Sequence, residues 1–163
     1  PVEVIGYEKF VSTAKESGVD GILLVDMPPE EAKDLDAVLK QHDMDQIFLL
    51  APTSTDERIQ HVVKQASGFI YYVSLKGVTG AATLDTAEAA ARIAKIKTHT
   101  NVPVGVGFGI SDAASAKAMG QVADAVIVGS ALVKPFATLA IDQAVDQTVN
   151  KIKELRAALD ELV

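Results

Sequence analysis

The sequence has no cysteine and no strongly basic segment, and both absences narrow its function. Zero cysteines among 163 residues exclude disulfides and thiolate metal sites. A net charge of −7 argues against a nucleic-acid surface, because such surfaces need clustered Lys and Arg. No apolar run reaches the roughly 18 residues that a membrane span requires. We therefore expect a cytoplasmic protein that binds a small molecule and has no nucleic-acid or membrane partner.

Five apolar runs recur along the chain, and each is followed by a segment of helical pattern. They cover residues 19–26, 45–50, 68–74, 103–108 and 125–128. Strands alternating with helices at this spacing predict a parallel sheet with helical crossovers. The length and the hydrophobic fraction of 48% fit one α/β domain over residues 1–163. We expect the first run to be a strand buried on both faces.

Helical patterns fill the intervals and the end of the chain. They cover residues 7–17, 30–42, 55–66, 86–99, a segment after 111, and 141–163. Gly18 is expected to end the first helix. Ser54 or Thr55 is expected to cap the helix over residues 55–66. Ser111 is expected to cap the helix that follows it, with Asp112 in its first turn. The last helix is expected to pack its apolar face on the sheet, through Ala144, Val145, Val149, Ile152, Leu155, Leu159 and Leu162.

Two strand-like runs within residues 102–134 each end in a glycine turn. The first turn contains Gly109 and the second contains Gly129 and Ser130. Glycine lets backbone N–H groups approach a ligand, and the first turn of a following helix favours an anion. The pair predicts the phosphate site that follows the last two strands of a (β/α)8 barrel. Periodicity alone also allows a doubly wound open sheet.

Five motifs resemble, in order and spacing, the tryptophan synthase alpha subunit family. They are VDMPPEE (25–31), IFLLAPTS (47–54), YYVSLKGVTGA (71–81), GFGIS (107–111) and GSALVK (129–134). The resemblance implies a (β/α)8 TIM barrel of which residues 1–163 form one partial domain, with strands four to eight and the C-terminal helix. It also implies aldol-type cleavage of indole-3-glycerol phosphate to indole and glyceraldehyde 3-phosphate.

The family pattern carries over to residues in four groups. Phosphate contacts are implied for Gly80, Gly109, Gly129 and Ser130, with Phe108, Ile110 and Ile127 lining that end of the pocket. Tyr71 and Leu23 match positions beside the indole ring, and Thr79 matches a loop residue that contacts the catalytic aspartate. Pro28 and the acids after it match the loop that meets the beta subunit of an alpha2beta2 complex. Pyridoxal phosphate belongs to that beta subunit, so no cofactor or metal is expected here.

The catalytic glutamate and aspartate of this family have no counterpart in the sequence. The resemblance therefore implies that this chain alone is inactive and pairs with a missing N-terminal portion of the barrel. Because five parallel strands leave two open edges, we expect the chain by itself to associate with a second copy or to be a compact but labile monomer. Two other interpretations stay open: a non-catalytic phosphate-binding barrel module, and another phosphate-binding barrel enzyme such as a phosphoribosyl isomerase relative.

Overall fold

The computed structural model describes residues 2–73, 86–107 and 109–162, in which helices and strands alternate. The strands are β1 (Gly21–Leu23), β2 (Asp45–Leu50), β3 (Ile70–Val73), β4 (Val104–Gly107) and β5 (Ala125–Ile127). The helices are α1 (Val2–Ile5), α2 (Tyr7–Glu16), α3 (Lys33–Gln41), α4 (Asp56–Gln65), α5 (Thr86–Lys97), α6 (Ala113–Gly120), α7 (Ser130–Val133) and α8 (Ile141–Asp160), with a 3-10 turn at Lys134–Ala137. No helix in these ranges is long and apolar enough to cross a membrane.

The five strands form one parallel sheet in the order β1-β2-β3-β4-β5. Each strand therefore pairs with its neighbours along the chain, and the order does not reverse as it does in a doubly wound sheet. The register places Tyr71 opposite Gly105, and Gly107 opposite Ile127. The predicted parallel sheet is confirmed, and its order is that of consecutive strands in a barrel wall.

Alternate strand residues pack against the helices and form the larger of two hydrophobic clusters. This main core includes Phe48, Leu50, Ile70, Tyr72, Val104 and Val106 from the strands, with Ile59, Val62, Ile93, Ile96, Met119 and Leu155 from the helices. A second cluster joins β1 to α2 and α3 through Val11, Ile22, Leu35, Val38, Leu39 and Met44. Met27 is partly buried and packs against both clusters.

Helix ends follow local signals in the sequence, with one correction. Gly18 follows α2 with a φ of 85°, a left-handed conformation that favours glycine. The Thr55 hydroxyl accepts a hydrogen bond from the Arg58 N–H and caps α4. The expectation that Ser111 caps α6 was wrong. The cap is Asp112, because its carboxylate accepts from the Ser115 N–H at 2.8 Å while the Ser115 hydroxyl accepts from the Asp112 N–H, a reciprocal capping box.

The first strand is shorter and less buried than predicted. β1 pairs with β2 over Gly21–Leu23 and then turns away before Pro28 and Pro29, which have no N–H to donate to a ladder. Of its three residues only Ile22 is buried, because β1 is an edge strand whose other face is open in the described structure. The expectation of burial on both faces was therefore wrong.

Helix α8 packs on α6, and only part of its predicted apolar face is buried. Ala144 and Leu155 are buried, whereas Val145, Val149 and Ile152 are exposed. At its end α8 covers Gly120, where a Cβ would lie 2.5 Å from the Leu159 side chain. The expectation that the whole face packs on the sheet was wrong, because β5 is the last strand of the sheet and the exposed residues lie to one side of the α6 contact.

Candidate active site

The aromatic ring of Tyr71 lies across the end of the neighbouring strand β4. A Cβ placed on Gly107 would meet the Tyr71 hydroxyl oxygen at 2.5 Å and ring carbon Cε2 at 2.6 Å, closer than any real contact of that kind. Only glycine at position 107 therefore accommodates the ring as it stands. Tyr71 is half-buried, and its strand partner Gly105 also lacks a side chain, so the inner face of β4 leaves room for it.

Two glycine turns lie at the carboxyl ends of the adjacent strands β4 and β5. Gly109 has a φ of 77°, in the left-handed region, two residues after β4 ends. Gly129 lies two residues after β5, and a Cβ built there would have no atom within 4 Å. Gly129 and Ser130 are exposed, and the Gly129 carbonyl accepts from the Leu132 and Val133 N–H groups, so α7 begins at Ser130.

The turn at Gly129 leaves open space beside backbone groups that could bind an anion. The first N–H groups of a helix have no partner within the helix, so those of Ser130 and Ala131 are suited to an anionic oxygen. The Ser130 hydroxyl adds a side-chain donor beside them. Because Gly107 and Ile127 are paired in register, the turns beyond them face the same edge of the sheet. The arrangement is suited to a phosphate at this edge, close to the Tyr71 ring.

A carboxylate at the start of α6 is held in its charged form. Hydrogen bonds from the Ser115 N–H and hydroxyl, with a smaller contribution from Lys151, lower the pKa of Asp112 below its usual value. A hydrogen bond and the charge of Lys151 likewise lower the pKa of Glu154, which lies on α8. These charges serve the helix cap and the α6–α8 contact, and neither carboxylate is placed as a proton donor at neutral pH.

A family model described as "Tryptophan synthase alpha chain" matches residues 1–162. The chain belongs to the tryptophan synthase alpha chain family. Two curated members are the tryptophan synthase alpha chains of Acinetobacter baylyi, 89% identical, and Acinetobacter baumannii, 85% identical, each over all 163 residues. The chain spans 61% of the length of both relatives.

Solved structures of tryptophan synthase share the fold. The alpha subunit from Legionella pneumophila is 33% identical with a TM-score of 0.83, over 99% of this chain and 60% of that one. A Mycobacterium tuberculosis tryptophan synthase chain is 36% identical with a TM-score of 0.85, over 98% of this chain and 59% of that one. The resemblance read from the five motifs is thus confirmed, and the five strands are part of the (β/α)8 barrel of the tryptophan synthase alpha chain family.

The structure brings some of the predicted site residues together and separates others. Tyr71, Ile127, Gly109, Gly129 and Ser130 cluster at the ends of β3, β4 and β5. Leu23 lies two strands away from Tyr71, half-buried on β1. Ile110 is buried in the main core, so what it can offer a ligand at this edge is its backbone. Thr79, Gly80 and Phe108 lie outside the described residues. The roles of all these site residues, described or not, stay predictions.

The loop that precedes α3 is tied to α4 by charges. Glu30 lies 3.3 Å from His61 Nδ1 and 3.7 Å from an Arg58 guanidinium nitrogen. A hydrogen bond from its own backbone, and then the charges of Arg58 and His61, lower the pKa of Glu30 against the opposing effect of desolvation. Pro28, in the same loop, is half-buried. These ion pairs link the loop to α4.

Gly107 was not predicted as a site residue. It belongs to the GFGIS motif, but the sequence alone gives it no role beside Tyr71. A signal was present, since β4 reads VGVG and places two glycines on the face opposite the core valines. Among the described residues, no group of three or more His, Cys, Asp or Glu side chains is placed to hold a metal ion.

Proposed function

We propose that these residues form the phosphate-binding side of an enzyme that cleaves indole-3-glycerol phosphate to indole and glyceraldehyde 3-phosphate. The observation that carries the proposal is the family match over residues 1–162, which includes the two glycine turns at adjacent strand ends. Because the chain spans 61% of its relatives' length, the activity is proposed for the whole protein and not for these 163 residues alone.

The phosphate is proposed to bind at the turns after β4 and β5. Backbone N–H groups at Gly109 and Gly129 and the Ser130 hydroxyl would donate to its oxygens, as the family resemblance implies, and Gly80 would approach from the loop before α5. Hydrogen bonds to a charged acceptor are each worth about 1.5–3 kcal/mol, so two or three of them account for useful affinity. The open space at Gly129 supports this placement.

The indole ring is proposed to lie against the inner face of the sheet. Tyr71 supplies a half-buried aromatic ring there, with Ile127 toward the phosphate turns and Leu23 farther along the sheet. Phe108 and the backbone of Ile110 are proposed to complete the lining near the phosphate, as the motifs predict. An apolar surface with donors at one end is suited to a ligand with an aromatic body and an anionic end.

Turnover requires groups that this stretch does not supply. Carbon–carbon cleavage needs a base at the indole nitrogen and an acid–base group at the substrate hydroxyl and ring carbon, and positioned proton transfer is typically worth 10²–10⁴-fold. The family's glutamate and aspartate have no counterpart among the 163 residues. They are proposed to come from the part of the barrel that the relatives contain beyond this match, with Thr79 supporting the aspartate.

The proposed enzyme works with a beta subunit and needs no cofactor of its own. The family resemblance assigns pyridoxal phosphate to the beta subunit, which receives the indole. The loop with Pro28 and Glu30 is proposed to meet that subunit. Its attachment to α4 through Arg58 and His61 supports a defined docking surface.

A two-part experiment tests this function. The first part measures binding of indole-3-glycerol phosphate to the 163-residue chain and to Gly129→Ala by calorimetry. The variant's methyl group would enter the open space proposed for the phosphate without touching protein, so we expect unchanged folding and about tenfold weaker binding, as loss of one charge-assisted hydrogen bond implies. Ser12→Ala, on the exposed side of α2, is the control and should bind as the parent does.

The second part measures indole release. The matched portion of the Acinetobacter baylyi relative is replaced by these 163 residues, which gives a chain of full family length. We expect this chain to release indole and the 163-residue chain to release none. Equal binding by Gly129→Ala and its parent, or a full-length chain that folds but releases no indole, would contradict the proposal.

A further inference from the structure

Two buried glutamine oxygens in the described structure have no hydrogen-bond partner. They are the Oε1 atoms of Gln46, on β2, and of Gln65, the last residue of α4. Gln46 is only 3% exposed. No other buried side-chain nitrogen or oxygen atom within residues 2–73, 86–107 and 109–162 lacks a partner. Buried polar groups are nearly always hydrogen-bonded, so each of these two oxygens requires a donor.

Both side chains point into the layer between the sheet and the helices. Side chains alternate along a strand, so Gln46 is on the same face of β2 as Phe48, which belongs to the main core. On α4, Gln65 follows Val62 by three residues and therefore lies on the same side of the helix, and Val62 is in the main core as well. Because α4 packs on β2, the two amides face the same space.

The loop after α4 brings the two glutamines close together. The Ser67 hydroxyl accepts a hydrogen bond from the Gln46 N–H at 3.0 Å, and the Ser67 N–H donates to the Gln46 carbonyl at 3.1 Å. Gln65 precedes Ser67 by two residues, so their Cα atoms are less than about 8 Å apart. Two long side chains that start this close to one another can reach one small molecule between them.

The chemistry of these groups is suited to a water molecule. Water has two O–H donors, one for each amide oxygen, and an oxygen that accepts. The Ser67 hydroxyl accepts from Gln46 and still has its own hydrogen to donate to that oxygen. Buried waters typically make about three hydrogen bonds to groups that would otherwise be unpaired. Divalent metal cations need more oxygen ligands than these three side chains supply.

We infer that Gln46, Gln65 and Ser67 bind one ordered water molecule between the start of β2 and the end of α4. The water links the strand to the helix, in addition to the two direct hydrogen bonds between Ser67 and the backbone of Gln46. It also explains why a glutamine is buried next to the apolar residues of β2. The site is independent of the proposed function, because it lies at the amino end of the sheet and the glycine turns lie at the carboxyl end.

A high-resolution crystal structure tests this site directly. The protein is the full-length chain, completed with the Acinetobacter baylyi portion. We expect one ordered water whose oxygen lies within about 3 Å of both Oε1 atoms and of the Ser67 hydroxyl oxygen. A direct hydrogen bond between the two glutamine amides would overturn the inference. So would a donor from any other residue in the place of the water.

A double-mutant cycle tests whether the two glutamines share one ligand. Gln46→Met, Gln65→Met and the double variant keep side chains of similar length but remove the acceptors. We expect each single variant to raise the equilibrium constant for unfolding by about tenfold in urea denaturation, because it leaves the remaining amide incompletely bonded. The double variant should be no less stable than either single variant, since removal of both partners is nearly neutral. Effects that multiply to about a hundredfold would mean two separate sites and would overturn the inference.

Gln60→Met is the matched control, because Gln60 is an exposed residue on the same helix. It should leave the equilibrium constant for unfolding within about twofold of the parent value. If a variant at Gln46 or Gln65 fails to fold, the crystal structure of the unsubstituted chain still decides whether the water is bound. Neither measurement uses indole release, so a full-length chain that binds the water but releases no indole would contradict the proposed function alone.

Discussion

The two ends of strands β4 and β5 are built in opposite ways. At the amino end, Asp124 accepts a hydrogen bond from the Val104 N–H at 2.8 Å, pairs with Lys97 at 2.6 Å, and donates its own N–H to the Val104 carbonyl. At the carboxyl end there are three glycines: the Tyr71 ring fills the place of a side chain at Gly107, Gly109 has a left-handed φ, and the position beside Gly129 is open. Side-chain hydrogen bonds and an ion pair therefore hold the amino ends of the strands, whereas glycines at the carboxyl ends leave backbone groups accessible.

A second strand shows the same arrangement at its amino end. The Ser67 hydroxyl accepts from the Gln46 N–H at 3.0 Å, and the Ser67 N–H donates to the Gln46 carbonyl at 3.1 Å. Side chains from the connecting loops thus hold β2 and β4 where they begin. In barrels the amino end of the strands serves stability and the carboxyl end serves catalysis, and this division is visible here in single hydrogen bonds.

The largest loss of stability is expected from Gly107→Ala, which places a methyl group at the carboxyl end of β4. Its Cβ would collide with the Tyr71 ring, and overpacking of this kind costs about 1–3 kcal/mol of the free energy of unfolding. Urea denaturation measures the loss. In a Tyr71→Ala background the cost of Gly107→Ala should fall by at least about half a kcal/mol, since residues in contact are coupled. Equal costs in both backgrounds would show that the ring is not the obstacle.

Asp124→Ala removes the hydrogen bond to Val104 and the ion pair with Lys97 at the amino end of β4. It leaves the N–H of buried Val104 without that acceptor, and an unsatisfied buried donor costs about 1–3 kcal/mol. Asp124→Asn keeps an acceptor and should cost less. Neither variant should change the binding of indole-3-glycerol phosphate, because the two glycine turns proposed to bind its phosphate are at the other end of the strands. Weaker ligand binding at unchanged stability would contradict the separation of the two ends.

A smaller and pH-dependent effect is expected from Asp112, the cap of α6. Its replacement by Ala should cost about 1 kcal/mol at pH 7, as for other N-caps. The pKa of Asp112 is lowered in the folded state, so its charge stabilises the protein above the usual pKa of 3.8, and this stabilisation is lost as pH falls through the lowered value.

Thermal melting at pH 7 and at pH 3 measures this dependence. The difference in midpoint between Asp112→Ala and its parent should narrow at the lower pH, where the carboxylate begins to take up a proton. A difference that stays constant between the two pH values would mean that the carboxylate's charge does not act on the helix. Thr55→Ala is the matched control, because its capping hydroxyl does not titrate in this range.

The sheet could be predicted from the sequence because its strands are apolar and regularly spaced. β2 was predicted at its exact bounds, since Asp45 and the turn after Leu50 delimit a run that is buried at most positions. β1 was predicted too long, because the sequence does not distinguish apolar residues within a strand from apolar residues beside it until the pairing partner is known. The cap of α6 was assigned one residue early, since Ser111 and Asp112 are both good caps and the choice depends on Ser115.

From the sequence, the candidate site could be located only by its two glycine turns. Gly109 and Gly129 are visible in the sequence because each follows an apolar strand-like run, and the left-handed φ of Gly109 explains glycine at that turn. The contact between Tyr71 and Gly107 joins positions on different strands, and its register follows from the folded sheet rather than from either residue. The same is true of α8, whose apolar pattern is evident but whose division into a buried and an exposed side depends on where α6 lies.

The two hydrophobic clusters divide the molecule into two parts of unequal strength. The smaller cluster belongs to α2, β1 and α3, and reaches the main core through Met27 and the β1–β2 ladder. Local opening takes place where few buried contacts hold an element in place. We therefore expect α2, β1 and α3 to open and reclose more readily than the strands β2 to β5, which are folded around Val104 and Val106 in the main core.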